Sequence, residues 1–484
     1  MQRVTRIVLA LLVALTLAGA GYGRAQAQVA KTANWQVSLT VLNVDTQPAT
    51  MTITFYPGGG AAPIDFQPAA ALNPGAGTSY SVASINGIAA GFKGSAVVSS
   101  DARVVSTVVQ FVAGGVGGRN VRPVSNGFQP SDAAPSYLIP TVLNNNFNTT
   151  TVFAIQNAEA EPITATVTIY SAGSDIGRVQ PGVLIAPGAS HFVDMSKISG
   201  ITELFSGSAT VSAIKSSDGS PANVVVSSSE YNTTNYLASS VEATKGGSNT
   251  IYMPSMLCKL SGVGTASSAY AVQNADVVSS TFTLTVRKLD GSVQLNSETY
   301  TLKPGAKASV NLCTSGFLPA GFNGSAVINS TGGKIVAVGK VYGEGLSTAF
   351  LGATSGAQVL AAPYIRYAPN TTFQTGARQR TFIAVQNLGV ETVPVTVSYR
   401  NKDGAEVKSV TLNVPGNGGK ANTDPGSAGA LDSKGRFGEY DDGSFGGGVI
   451  ITGPTGAKLV ATVRVLSGVG AVRTGEDYNA IPVQ

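Results

Sequence analysis

The sequence predicts an all-β protein built as four tandem immunoglobulin-like antiparallel β-sandwich domains in a rod. Three observations carry that expectation. A strand ending in Asn recurs at Asn43, Asn157, Asn274 and Asn387, so that successive copies lie 114, 117 and 113 residues apart. After each Asn, Thr or Ser alternates with Val, Ile, Leu or Phe, the period-2 pattern of a strand with one buried face. Turn signals recur at intervals of roughly 8–12 residues, and no long amphipathic helix interrupts them. About seven short strands per copy pack most simply as two antiparallel sheets. A small barrel is the other solution, and the repeat does not decide the strand order.

Composition agrees with many strands and tight turns. Of 484 residues, 43% are hydrophobic, ample for real cores, whereas only 12% are charged, about half the usual share. The 58 Gly and 23 Pro residues supply turns. The length suits three or four domains of roughly 100–150 residues.

The N-terminus reads as an export signal. Arg3 and Arg6 form a basic start, Ile7 to Ala20 an apolar stretch of 14 residues, and Ala25-Gln26-Ala27 a small-x-small cleavage site. A membrane anchor is the competing reading, but a spanning helix needs about 20 apolar residues. We expect a signal peptide at 1–27, units at 28–134, 135–248, 249–357 and 358–478, and a C-terminal strand segment at 479–484. No later segment is apolar enough to span a bilayer as a helix. The formal charge of +5 includes Arg3, Arg6 and Arg24 and falls to +2 after cleavage. No concentrated basic face remains to suggest nucleic acid.

Within each copy the landmarks keep one order. The opening strands are Thr40-Val41-Leu42-Asn43, Ala154-Ile155-Gln156-Asn157, Ala271-Val272-Gln273-Asn274 and Ala384-Val385-Gln386-Asn387. A Pro-Gly turn follows at Pro74-Gly75, Pro187-Gly188, Pro304-Gly305 and Pro415-Gly416. Pro presets φ and Gly accepts positive φ, which gives the turn its mechanism. An aromatic residue then precedes a small-residue strand: Phe92-Lys93-Gly94-Ser95-Ala96, Phe205-Ser206-Gly207-Ser208-Ala209, Phe322-Asn323-Gly324-Ser325-Ala326 and Phe445-Gly446-Gly447-Gly448-Val449.

Candidate chemistry is sparse. The single histidine, His191, lies near Asp194, but no Gly-x-Ser-x-Gly elbow accompanies them. One histidine also excludes a multi-His zinc site. Asp432, Glu439, Asp441 and Asp442 form the densest acidic group, inside a copy-4 insertion spanning 426–442. Oxygen-rich loops of this kind bind Ca²⁺, yet the spacing matches no EF-hand, and solvated loop charges are the simpler reading. Gly418-Gly419-Lys420 lacks the pattern of a phosphate-binding loop, and Gly114 to Gly118 is too short for a dinucleotide fingerprint. The expected set of cofactors, metals and catalytic residues is therefore none. Cys258 and Cys313, the only cysteines, predict a disulfide in an exported chain, worth roughly 4 kcal/mol for the loop it closes. Two separate buried thiols are the alternative. Sequons at Asn148, Asn232, Asn323, Asn329 and Asn370 read as turn and strand-edge composition.

A Pro motif between copies bears on assembly. It appears as Tyr137-Leu138-Ile139-Pro140, Ile251-Tyr252-Met253-Pro254 and Leu360-Ala361-Ala362-Pro363, and again as Ala480-Ile481-Pro482-Val483 at the C-terminus. No equivalent precedes copy 1. If the motif is the first strand of the following unit, copy 1 lacks a strand and Ala480, Ile481, Pro482 and Val483 form a spare one. Donation of that strand gives a head-to-tail homopolymer. If it closes the preceding sandwich, the chain is a complete monomeric rod.

The recurring V-Q-N strand, P-G turn and G-F-x-G-S-A strand resemble bacterial secreted tandem β-sandwich repeat proteins of the cell surface. The resemblance covers nearly the whole mature chain, with copy 4 departing at Gly448 and at its insertion. It implies a structural or adhesive surface role and no catalytic residues. The function expected is a non-catalytic secreted structural protein, the subunit of an extracellular filament, sheath or surface layer. A monomeric adhesin that binds cell-surface glycans is the alternative.

Overall fold

A computed structural model of the chain describes residues 33–58, 60, 62–112, 121–232, 234, 237–261, 265–343, 345–368, 377–469 and 472–483. The expected signal peptide, the Gly114–Gly118 loop and the Asn370 sequon lie outside the described residues. The described residues are nearly all β, in eight antiparallel sheets.

The first unit contains β1 (Trp35–Asn43), β2 (Met51–Pro57), β3 (Ile64–Phe66), β4 (Gly77–Ser81), β5 (Gly94–Ser100), β6 (Val104–Val112) and β7 (Val124–Asn126). The second contains β8 (Ser136–Asn144), β9 (Thr149–Asn157), β10 (Ile163–Ser171), β11 (Gly177–Val179), β12 (Val183–Ile185), β13 (Ser190–Asp194), β14 (Phe205–Lys215), β15 (Val224–Asn232) and β16 (Ala238–Glu242). The third contains β17 (Thr250–Cys258), β18 (Ser267–Asn274), β19 (Ser280–Arg287), β20 (Val293–Asn296), β21 (Tyr300–Leu302), β22 (Lys307–Val310), β23 (Phe322–Gly332), β24 (Ile335–Gly343) and β25 (Leu346–Leu351). The fourth contains β26 (Val359–Ala362), β27 (Tyr367–Ala368), β28 (Ala377–Asn387), β29 (Val393–Arg400), β30 (Glu406–Val414), β31 (Lys420–Thr423), β32 (Gly448–Thr452), β33 (Leu459–Val469), β34 (Val472–Asn479) and β35 (Ile481–Pro482).

Each unit is a pair of packed sheets. In the second, β8-β14-β10 faces β13-β9-β15-β16, and Ile139, Phe153, Ile155, Ile169, Val211 and Val226 fill the space between them. The third repeats this as β17-β23-β19 against β22-β18-β24-β25. Successive long strands cross the core from one sheet to the other. An immunoglobulin sandwich instead keeps its first and second strands in one sheet. The two-sheet packing expected from sequence is present, with a different strand order.

The shared Asn explains why every copy keeps it. Asn157 donates Nδ2 to the carbonyls of Glu161 and Ile185 and accepts from the Glu159 N–H. Asn43, Asn274 and Asn387 make the same three bonds at their own positions. Each side chain is buried and ties two loops to the end of one strand.

The units do not form a rod. The fourth returns to the first: the Gly447 N–H donates to the Gly77 carbonyl (2.9 Å) and the Ser79 N–H to the Phe445 carbonyl (3.2 Å). Strands β7, β16, β25 and β34 pack successively around a central axis, with β34 again against β7. The chain is therefore a closed ring of four units. Closure follows from the contact each unit makes with the next. The Ser95 hydroxyl donates to the Gly188 carbonyl (2.7 Å), Ser208 to Gly305 (2.7 Å) and Ser325 to Gly418 (2.5 Å). The same carbonyls accept from Gln156, Gln273 and Gln386 of their own units. The functional turn glycine of the fourth unit is thus Gly418 rather than Gly416.

Against each turn glycine lies a side chain from the end of a strand in the preceding unit. A Cβ on Gly188 would meet the Tyr56 ring at 2.4 Å, and one on Gly305 the Tyr170 ring at 2.6 Å. These glycines also have φ of 69° and 72°, so both backbone and space require Gly. Gly219 has φ of 74° with nothing within 4 Å of a Cβ. Gly219→Ala is expected to cost only the left-handed strain of about 1–2 kcal/mol. Gly305→Ala adds overpacking of about 1–3 kcal/mol and should lower the denaturant midpoint distinctly further. Equal midpoints for the two variants would show that the turn-to-ring contact does not hold the units together.

Candidate functional site

The residues singled out from sequence are dispersed. His191 lies on β13, and Asp194 accepts from the N–H and hydroxyl of Ser196 rather than orienting a catalytic pair. Burial, with the nearby Lys93 charge, lowers the His191 pKa and favours the neutral ring. The acidic loop is used internally. Asp432 and Asp441 both engage Arg436, at 2.9 and 2.8 Å, and Asp442 pairs with Lys402 at 2.5 Å. No group of three metal-ligating side chains is found among the described residues. Lys420 lies buried between the third and fourth units, its Nζ 3.3 Å from the Pro254 carbonyl. Of the sequons, Asn148 sits in the β8–β9 turn, Asn232 donates to the Phe147 carbonyl, and Asn323 and Asn329 lie on β23.

Cys258 and Cys313 form a disulfide, tying β17 to the segment after β22 across 55 residues. The bond is compatible with an extracellular protein. No helix of the described residues is long and apolar enough to cross a membrane.

The C-terminal segment is occupied within its own chain. Ile481 and Pro482 pair with Ala361 and Leu360 of β26, and Val483 donates its N–H to the Val359 carbonyl. Thr244 and Ala353 make the corresponding bonds to Leu138 and Tyr252. Ile481 is thus equivalent to Thr244 and Ala353, and the likeness of Ala480-Ile481-Pro482 to the Pro motif is one of sequence alone. Ile481 also packs with Leu42 and Val105 of the first unit, so the segment latches the ring.

Among its described residues the first unit is one strand short of the others. Its first sheet is β3-β2-β5, and among the described residues nothing pairs with the outer edge of β5, where β8, β17 and β26 run in the other units. Ala96 is exposed there, whereas its equivalents Ala209 and Ala326 are wholly buried. Beside the Phe92 end of this strand, a cleft of about 680 Å³ opens between the first two units, lined among others by Ile64, Phe92, Lys93, His191 and Phe192. Lys93 lies 4.3 Å from the centre of the Phe192 ring. The open edge and the cleft are the two candidate binding surfaces.

Sequence reasoning missed the buried charges at the axis and interfaces. Asp477 is buried against Arg464 (2.7 Å) and accepts from Thr348, and Lys340 reaches Glu230 of the preceding unit at 2.6 Å. Glu242 accepts from the Asn126 N–H where the second unit meets the first. Val124, Ala238, Ala349 and Glu476 close in around the axis and leave no water-sized space. For Glu230, Glu242, Lys340 and Arg464 the signal in sequence is only a charge interrupting an otherwise apolar or Ser-rich strand, whereas Glu476 and Asp477 stand together on a polar one.

Compared with known proteins, the chain matches no family model and no curated sequence.

Burial pushes the Glu242 carboxyl from 4.5 up to about 7, and it raises Glu476 as well. Between these pH values the unfolded chain releases a proton that the folded one keeps, so stability falls as pH rises. Burial, with the Lys340 charge, draws Lys307 from 10.5 down to about 7, and burial with Arg464 does the same to Lys420. Above pH 7 the unfolded chain holds protons that the folded one has lost, so stability rises again. The denaturant midpoint is expected to pass through a minimum near pH 7, and Glu242→Gln should flatten the acid limb. A midpoint that climbs steadily from pH 5 to 7 would contradict this account.

Proposed function

We propose that the chain is a non-catalytic secreted structural protein, a ring-shaped building block of a bacterial extracellular layer, sheath or filament. The observation that carries this reading is what the recurring residues do. The Gln of the opening strand, the turn Gly and the Ser of the small-residue strand all meet at one carbonyl in each of three successive interfaces. The motif conserved between copies serves the ring itself and leaves no recurring residue for a substrate. The Cys258–Cys313 disulfide suits a chain that works outside the cytoplasm.

The block assembles through surfaces other than its C-terminus. Donating Ala480–Val483 would break the pairing with β26 and expose the buried Ile481. A second reading, a glycan-binding adhesin, is favoured by the aromatic and cationic lining of the cleft between the first two units. Saccharides stack on such rings, and Phe192→Ala would remove one of them.

Expression with its leader in a bacterial host tests the proposal. The chain is expected in the envelope fraction, with Cys258 and Cys313 oxidised and ordered assemblies visible by electron microscopy. Recovery solely as single rings in the medium would overturn the building-block reading. Retention on a glycan array that Phe192→Ala abolishes would then establish the adhesin.

A further inference from the structure

We infer that the first unit takes, in trans, an extended segment of another protein as the strand its first sheet lacks. The other units specify the chemistry of that segment. In the second unit Ala209 of β14 faces Ile139 of β8, and Val211 faces Tyr137. In the third, Ala326 faces Met253 and Ile328 faces Ile251. In the fourth the sizes are exchanged, Val449 facing Ala362. Small therefore opposes large at this pair, which keeps the volume between the sheets filled.

Ala96 occupies the same place, paired with Phe55 as Ala209 is with Ile169 and Ala326 with Val286. It keeps the small residue but has no large one to receive. Val98, equivalent to the fully buried Val211 and Ile328, is only half-buried. The edge itself, Gly94-Ser95-Ala96-Val97-Val98-Ser99-Ser100, carries no charge and no Pro. It has none of the devices by which edge strands resist pairing.

Among the described residues nothing supplies the complement. At the repeat spacing of 114 residues the positions of Tyr137 and Ile139 fall on Gly23 and Ala25, which have no bulk. The C-terminal segment is engaged in the fourth unit. A second copy's β5 would set only Val98 over Ala96. The occupant is therefore a partner polypeptide in extended form, with large apolar residues two positions apart followed by Pro, as in Tyr137-Leu138-Ile139-Pro140. Main-chain bonds would give affinity and the two side chains selectivity. This deepens the building-block reading by naming where a neighbouring component attaches.

The test uses the chain from Gln28 onward, which contains every described strand, and a synthetic peptide of residues 136–144. Calorimetry is expected to give a Kd of about 10 μM or tighter. An Ile139→Asp peptide should bind at least ~30-fold more weakly. Ala96→Arg in the protein, placed on an exposed strand and checked by an unchanged thermal midpoint, should abolish binding. No binding, or equal binding of both peptides, overturns the inference. So does a stable dimer, formed without peptide, that Ala96→Arg dissociates, because a second copy then fills the slot. Peptide binding by a chain that forms no envelope assemblies would sink the building-block reading alone and leave the strand slot standing.

Discussion

The architecture depends on one acceptor, the carbonyl of the turn glycine at Gly188, Gly305 and Gly418. It receives a hydroxyl from the preceding unit and an amide from its own. A carbonyl has two lone pairs, and here each is used by a different unit. The bond is directional, so it fixes the angle at which one sandwich meets the next. A head-to-tail contact repeated at a constant angle gives either a helix or a ring. Three repetitions of this one bring the fourth unit against the first.

Closure changes what the inner strands experience. In a rod they would form a wetted flank, where Glu242, Glu476 and Asp477 are unremarkable. Around a closed axis they are buried, and two opposite solutions appear. Asp477 is compensated by Arg464 and Thr348. Glu242 and Glu476 instead carry raised pKa values, dominated by the loss of water. The hub is held less by apolar packing than the four cores that surround it.

Much of the fold was legible because its causes are local. Period-2 alternation, Pro-Gly turns and the shared Asn act within a few residues or within one unit, and each left a recurring mark. The missing strand of the first unit could likewise be counted from the Pro motif. What escaped were properties of one unit meeting another. Gln273 and Ser208 stood in the recognised motifs, but their common acceptor Gly305 lies 32 and 97 residues away, and no periodicity announces it. The strand order escaped because alternation tells which face is buried and not which neighbour is bonded. Ile481-Pro482 misled because a two-residue likeness outweighed position: its backbone partners place it with Thr244 and Ala353. The candidate binding edge was half visible, as an absence, and its exposed Ala96 became meaningful only beside the covered Ala209 and Ala326.

The junction between the fourth and first units is built differently from the other three. Leu42 stands where the others have Gln, and Gly448 where they have Ser, with the Leu42 side chain beside the Gly448 backbone. Main-chain bonds between Gly77–Ser79 and Phe445–Gly447 replace the side-chain lock, and Arg366 reaches the Ser79 hydroxyl at 2.9 Å. The two ends of the chain therefore carry a pair of mating surfaces that no internal junction shares. Such a seam cannot be satisfied by the second or third unit, so it counts to four before it closes. Because both halves are tethered to one chain, each meets the other at the high effective concentration of an intramolecular reaction. The seam therefore favours closure within one chain over pairing between chains.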